Sequence, residues 1–248
     1  MERKSPANRS LERGLAILRA FRPGSTLLGN GELAERTGLP RATVSRLTQT
    51  LVQAGFLQHH AAARAYRLGA PVLSLAYAMR QGSAILRAAL PLMRETAENQ
   101  RINVGLAVAD GEEMVYLESV RRHRGSAFRH VTAGSRIPME LTSLGRAHLA
   151  TLPKPELERT LALLAARRGA QWPALHKEIR SGIAAVQRQG WCRASWQAGV
   201  VALAAPLPGQ AGHVMNLSLA TERLSDAEIR AGLAPLLKKL VEQVAARL

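Results

Sequence analysis

Arg41, Ala42, Thr43, Ser45, Arg46 and Gln49 place guanidinium, hydroxyl and amide side chains within nine residues. At helical spacing Arg41, Ala42, Ser45, Arg46 and Gln49 share one face, while Val44, Leu47, Leu51 and Val52 share the other. Groups presented in this way match the donor and acceptor patterns of base edges in the DNA major groove. The chemistry is recognition, with no bond made or broken. No catalytic set competes with it. Cys192 is the single cysteine and reads as a half-buried strand thiol, and no G-x-S-x-G, phosphate loop or dinucleotide fingerprint occurs. His59, His60 and His123 lack a second cluster to complete a metal shell, so neither a metal nor a cofactor is expected, and an enzyme is not.

The stretch Glu32 to Leu57 supplies the frame for those side chains. Two short helices are broken by Thr37-Gly38-Leu39-Pro40, where Gly38 can take the left-handed conformation and Pro40 suits the first turn of the next helix. This is a helix-turn-helix. Gly55 ends the second helix, and Phe56 to His60 and Ala65 to Leu68 then flank Ala61 to Arg64 as a two-stranded ribbon. Such a ribbon is a wing, and Arg64 at its turn is placed to meet backbone phosphate. Upstream, Ser10 is expected to cap a helix with Leu11, Leu15, Leu18 and Phe21 on its packed face, and Asn30 to cap the helix that follows Gly29.

Charge points to the same partner. The chain of 248 residues has a formal net charge of +16. Residues 1–69 carry 11 Lys/Arg against 4 Asp/Glu and residues 70–248 carry 23 against 14, so the first segment is the more basic per residue. Phosphate neutralisation supplies most non-specific affinity for DNA, which is what a basic head on a more neutral body provides. A source genome rich in Arg would raise the charge as well. The N-terminus has no signal-peptide pattern, no apolar stretch reaches the length of a membrane span, and one cysteine makes no internal disulfide. A cytoplasmic protein without membrane association is expected.

Beyond Gly69 the segment Pro71 to Met79 is apolar on more than one side, which suits pairing with a second subunit or packing on its own body. A longer helix then runs to about Gln100, with Pro91 as a kink or restart. Strands are expected at Ile102 to Val108 and Met114 to Glu118 around Asp110-Gly111, then at Ala127 to Val131, Cys192 to Ser195, Val200 to Leu207 and His213 to Leu219. Helices lie between them from Thr142 to Ala150, Pro155 to Arg167 and Pro173 to Arg188, and Ser225-Asp226-Ala227-Glu228 is a capping box for the last. The class is α+β, an antiparallel sheet covered by helices. Glu140 reads as a surface residue, Arg121-Arg122-His123-Arg124 as a solvated loop, and Trp191 and Trp196 as either core or ligand wall.

Arg9-Ser10-Leu11-Glu12-Arg13-Gly14-Leu15, Leu39 to Leu47, Tyr66-Arg67-Leu68-Gly69 and Thr142 to Ala150 resemble, in order and spacing, the IclR family of bacterial transcription regulators. The resemblance spans nearly the whole chain. It implies a winged helix-turn-helix over 7–69, a linker helix over 70–82 and a GAF-like effector-binding domain over 83–248. It also implies homodimers or dimers of dimers on palindromic double-stranded operators, with a small-molecule effector. The family's effector pocket maps onto Ser143, Leu144, Ala202, Asn216 and Ser218, with Trp191 and Ser195 added from the segment after Gly190. That segment departs from the family, which often carries acidic residues there, so effectors that need an acid are not implied. Asn216 and Ser218 share a strand face, and with Ser143 as a helix cap they suit a carboxylate or similar anion, such as a small organic or aromatic acid. The competing reading is a constitutive or architectural DNA-binding protein whose C-terminal domain only oligomerises.

Overall fold

A computed structural model of the chain describes residues 8–121, 131–220 and 226–248. They fall into two compact units, Met1–Ser83 and Ala84–Leu248, with separate cores. No helix among the described residues is long and apolar enough to cross a membrane.

The first unit contains α1 (Arg9–Ala20), α2 (Asn30–Thr37), α3 (Arg41–Gln53), the hairpin β1 (Leu57–His60) and β2 (Ala65–Leu68), and α4 (Ala70–Gly82). Ile17, Leu28, Leu33, Val44 and Leu57 are fully buried between them. Gly38 ends α2 at φ +67°, as its position predicts. Pro40, at ψ 141°, stands just before α3 as its cap and not within the first turn. The two expected caps are each displaced. Asn8 Oδ1 accepts from the amides of Ser10 and Leu11, both at 3.1 Å, so Asn8 and not Ser10 caps α1. The Gly29 amide donates to Glu32 Oε2 at 2.9 Å, which makes Gly29 the cap of α2 and Asn30 its first helical residue. The packed face of α1 also differs from expectation, because Ile17 and Ala20 are buried whereas Leu11 and Leu15 are exposed. The apolar stripe of α1 is wider than the ridge that α2 and α3 cover.

Gly69 fixes where α4 begins. Its amide donates to the Phe56 carbonyl at 2.7 Å, and a Cβ there would fall 1.9 Å from the Gly55 carbonyl oxygen. The start of α4 is thus clamped to the wing side of the first unit. Nothing in α4 is buried, and Leu73, Leu75, Tyr77 and Met79 stand 74, 60, 62 and 53% exposed.

The second unit comprises α5 (Ala84–Gln100), β3 (Asn103–Asp110), β4 (Glu113–Val120), β5 (Arg136–Pro138), α6 (Ser143–Leu149), α7 (Lys154–Arg168) and α8 (Trp172–Gln189). After them come β6 (Cys192–Ala194), β7 (Val200–Pro206), β8 (His213–Ala220), α9 (Asp226–Glu228) and α10 (Ala234–Ala245), with a π-helical turn at Ile229–Leu233 between the last two. The six strands form one antiparallel sheet in the order β5-β4-β3-β8-β7-β6. Alternate side chains then serve two layers. Val104, Leu106, Leu203, Met215 and Leu217 pack beneath α5 and α10, while Ala107, Met114, Cys192, Ala204 and Val214 pack against α6 and α8. Both linker-side helices appear as expected, and α5 continues through Pro91.

β5 is absent from the sequence-level reading because three residues leave little periodicity. Arg136 secures it, with Nε donating to Glu113 Oε2 and Nη1 to Asp110 Oδ2, both at 2.7 Å. Of the strand expected at Ala127 to Val131, residues 127–130 lie outside the described residues and Val131 is not in a strand; Ser225 of the capping box also lies outside them.

Candidate DNA-reading face and effector pocket

Arg41, Ala42, Arg46 and Gln49 are exposed on α3, and Thr43 and Ser45 are partly covered. Val44 and Thr48 form the buried side, with the Thr48 hydroxyl donating to the Ser45 carbonyl at 3.0 Å. A threonine can occupy this buried position because its hydroxyl is satisfied within its own helix. The helix thus presents a continuous polar face. At the wing, Ala61–Ala63 form a short 3₁₀ turn, and Arg64 sits exposed at φ +46°. Arg67 Nε donates to Gln58 Oε1 across the ribbon at 2.9 Å, and the backbones of Leu28 and Tyr66 pair in both directions. These bonds brace the wing from both sides.

In the second unit a cavity opens on the α6 side of the sheet, beside the helix. Its walls include Asn103, Gly105, Tyr116, Ser119, Arg121, Ile137, Trp196, Gln197, Ala202, Asn216 and Ser218, and its empty space counted to the mouth is about 570 Å³. The part closed off from open solvent is much smaller, about 50 Å³. Arg121 is the one formally charged group among the described lining residues. Tyr116 and Asn216 meet across β3, and burial raises the phenol pKa while the neighbouring Asn216 side chain lowers it. Gly105 makes the meeting possible, since a Cβ there would lie 2.3 Å from Asn216 Oδ1 and 2.5 Å from Tyr116 Cε1.

Ala202, Asn216 and Ser218, predicted from sequence, line this cavity together. Four other candidates do not. Ser143 and Leu144 are buried in the first turn of α6, and Thr142 rather than Ser143 caps that helix, its hydroxyl accepting from the Gly145 amide at 3.2 Å. Trp191 packs in the core beneath α5 and α10, because Cys192 faces α6 and strand neighbours point oppositely. Ser195 is exposed beyond the end of β6. Sequence reasoning left Gly105, Tyr116 and Ser119 unremarked. Of Arg121-Arg122-His123-Arg124, expected as a solvated loop, Arg121 stands in the cavity wall and residues 122–124 lie outside the described residues; Trp196 joins the wall as well.

Beneath α6 lies a second polar layer. Glu140 is fully buried, where the sequence suggested surface, and its Oε1 accepts from Arg168 Nε at 2.6 Å. Removing a carboxylate from water is tolerable only with such a partner. Arg146 extends beneath the helix to Glu178 at 2.6 Å, and Gly182 gives its stem room. Cys192 is fully buried rather than half-buried; its Sγ donates to the Ser143 carbonyl, and burial pushes its pKa up to about 12 despite nearby Arg146. That thiol is structural and unreactive. A Cβ on Gly145 would lie 1.9 Å from the Met139 carbonyl oxygen, so α6 is seated as closely as a glycine permits.

Comparison with known proteins agrees with both units. Residues 10–61 match the IclR helix-turn-helix domain, and residues 78–246 match the bacterial transcriptional regulator IclR C-terminal domain. The chain is 30% identical over 245 residues to the HTH-type transcriptional regulator TsaQ1/TsaQ2 of Comamonas testosteroni, covering 96% of this chain and 88% of that one. It is 27% identical to the Pca regulon regulatory protein of Pseudomonas putida, covering 92% and 80%. Among solved structures, an IclR family transcriptional regulator from Brucella abortus superposes with a TM-score of 0.90 at 32% identity, covering 100% and 95%. An IclR homolog from Microbacterium hydrocarbonoxydans, solved in complex with 4-hydroxybenzoate, shares the fold at a TM-score of 0.73 and 22% identity, covering 96% and 98%. With the reading helix, wing and antiparallel sheet already in place, these matches establish that the chain belongs to the IclR family of transcriptional regulators, which are not enzymes.

Proposed function

We propose that the chain is an effector-controlled, sequence-specific operator-binding regulator whose effector is a small organic or aromatic acid bound in the second unit. The observation that carries this reading is the cavity itself. It lies among apolar and hydroxyl-bearing side chains, and its described walls hold one cation and no carboxylate. An anion gains there and an ammonium does not. The fold-sharing homolog solved with an aromatic acid supports the choice of class. The binding of DNA falls to Arg41, Ala42, Thr43, Ser45, Arg46 and Gln49 on α3, with Arg64 of the wing on phosphate. The domain plan is a winged head over 7–69, the linker helix over 70–82 and the effector domain over 83–248. The working form in the bacterial cytoplasm is a homodimer, or a dimer of dimers, because two reading helices about 34 Å apart are needed for a two-fold operator. The exposed Leu73, Leu75, Tyr77 and Met79 provide an apolar seam for it.

Thermal melting of the full chain against a panel of small acids tests the effector assignment. A true effector at a hundredfold excess over its Kd adds about 2.7 kcal/mol and shifts the transition. The same compound must alter operator affinity in a gel-shift titration. A compound that stabilises the protein without changing operator binding would favour the constitutive reading. Sedimentation at micromolar concentration checks assembly, and a monomer there would refute the dimeric scheme.

A further inference from the structure

The wing turn Ala61-Ala62-Ala63-Arg64 contains none of the Gly, Pro, Asn or Asp residues that usually fix a tight turn, and three alanine methyl groups cannot hold one. His60 supplies what they lack. Its Nδ1 accepts from the Ala63 amide at 3.2 Å, the service that an asparagine or serine performs at a helix start. The Arg64 amide then donates to the Ala61 carbonyl at 3.1 Å, and Arg64 closes the turn in the left-handed region, at φ 46° and ψ 41°. Glycine takes that conformation without strain, whereas arginine does not. The ends of the turn are fixed separately, since His60 pairs with Ala65 and the His59 ring lies 5.3 Å from that of Tyr66. An exposed arginine held where glycine would be easier points to a use for its side chain.

We propose that His60 is a positioning residue for DNA binding, which caps the wing turn through Nδ1 and so fixes the backbone from which Arg64 reaches phosphate. The inference rests on Arg64 being a phosphate contact. With the Ala63 amide released, Arg64 is free to relax to an ordinary negative φ, and a change of that size redirects its side chain. The guanidinium then loses the preorganisation that makes a contact at the end of a long side chain worthwhile. A direct role for His60 is the competing possibility. With Nδ1 spent as an acceptor, the neutral ring carries its proton on Nε2, which is a donor in its own right. Bond count separates the two roles. Asparagine Oδ1 lies as many bonds from the backbone as histidine Nδ1, whereas the glutamine amide falls nearer to the position of Nε2.

Phosphate contacts ignore sequence, so a labelled random-sequence DNA duplex, titrated with the full-length protein across a range of salt, serves as the probe. Arg64→Gly suits the left-handed backbone and should melt no lower than wild type, yet it should reduce the salt slope by about one unit. His60→Ala should reproduce most of that loss. Adding Arg64→Gly to His60→Ala should bring little further loss, as expected of two residues that act through one contact. His60→Asn should restore the wild-type slope and His60→Gln should not, a contrast that decides the matter even where His60→Ala lowers the melting transition. A wild-type slope in His60→Ala, with Arg64→Gly still impaired, overturns the positioning role and leaves the phosphate contact standing. Rescue by glutamine in place of asparagine, or additive losses in the double variant, does the same. An unchanged slope in Arg64→Gly overturns the phosphate reading of the wing and the positioning role with it.

Discussion

On α3 Arg41, Arg46 and Gln49 face water and are free of packing duties, whereas in the pocket wall Tyr116 and Asn216 are buried over the same strand. Arg41, Arg46 and Gln49 project from a helix whose opposite side, Val44 and Thr48, carries the packing. Tyr116 and Asn216 depend on a missing side chain at Gly105 and on the register of three strands. Substitution on α3 should therefore change binding without changing the fold. Within the second unit, contact and architecture are separated by a single strand position or less.

The largest expected effect sharpens the architectural side of this contrast. Gly145→Ala drives a methyl into the Met139 carbonyl, and α6 must shift to accommodate it. We expect a loss of about 3 kcal/mol or more, lowering the melting transition by about 6–12 °C. Melting within a degree of wild type would show that α6 is less tightly seated than the geometry implies. On the exposed side, Arg46→Ala should cost about 1 to 3 kcal/mol of operator discrimination, tenfold or more in affinity at fixed salt, with the melting transition unchanged. Unaltered operator affinity would remove Arg46 from the reading set.

How far each side could be read from sequence follows from the same contrast. The helix-turn-helix, the wing, the linker helix and most strands of the sheet were legible because local spacing and Gly/Pro punctuation determine them. Cap residues were misplaced by one or two positions, at Asn8 and Gly29, because several neighbours can accept the same amide and only the backbone path decides. Of the pocket, Ala202, Asn216 and Ser218 were legible by alternation along β7 and β8, aided by family resemblance. Tyr116, Gly105 and Arg121 were not, since their meeting with Asn216 depends on strand order, which no local pattern encodes. Trp191 and Glu140 were misassigned for a related cause. A tryptophan beside a pocket strand can face either layer, and a lone acid looks like surface until its partner, Arg168, is brought to it from α7.

A smaller effect tests whether the pocket wall can lose contacts without losing the fold. Asn216→Ala with Ser218→Ala removes hydrogen-bonding groups worth about 1 kcal/mol each. Operator affinity should persist while the effector response falls about tenfold, and a wild-type response in the double variant would place the effector elsewhere. Arg64→Ala at the wing should have the mildest consequence. It should weaken binding to all DNA sequences alike and lower the salt slope by about one unit. A change confined to one operator sequence would instead make Arg64 a base reader.

The alternation in β8 divides the chain's freedom to vary. Met215, Leu217 and Leu219 are held by the α5 and α10 core, while Asn216 and Ser218, one step away, look into the cavity. Selection acting on ligand preference can therefore rewrite every second letter of this strand and leave its neighbours untouched. Lineages descended from such a sheet can acquire new chemical signals by a few substitutions, provided that each newcomer respects the room left by Gly105.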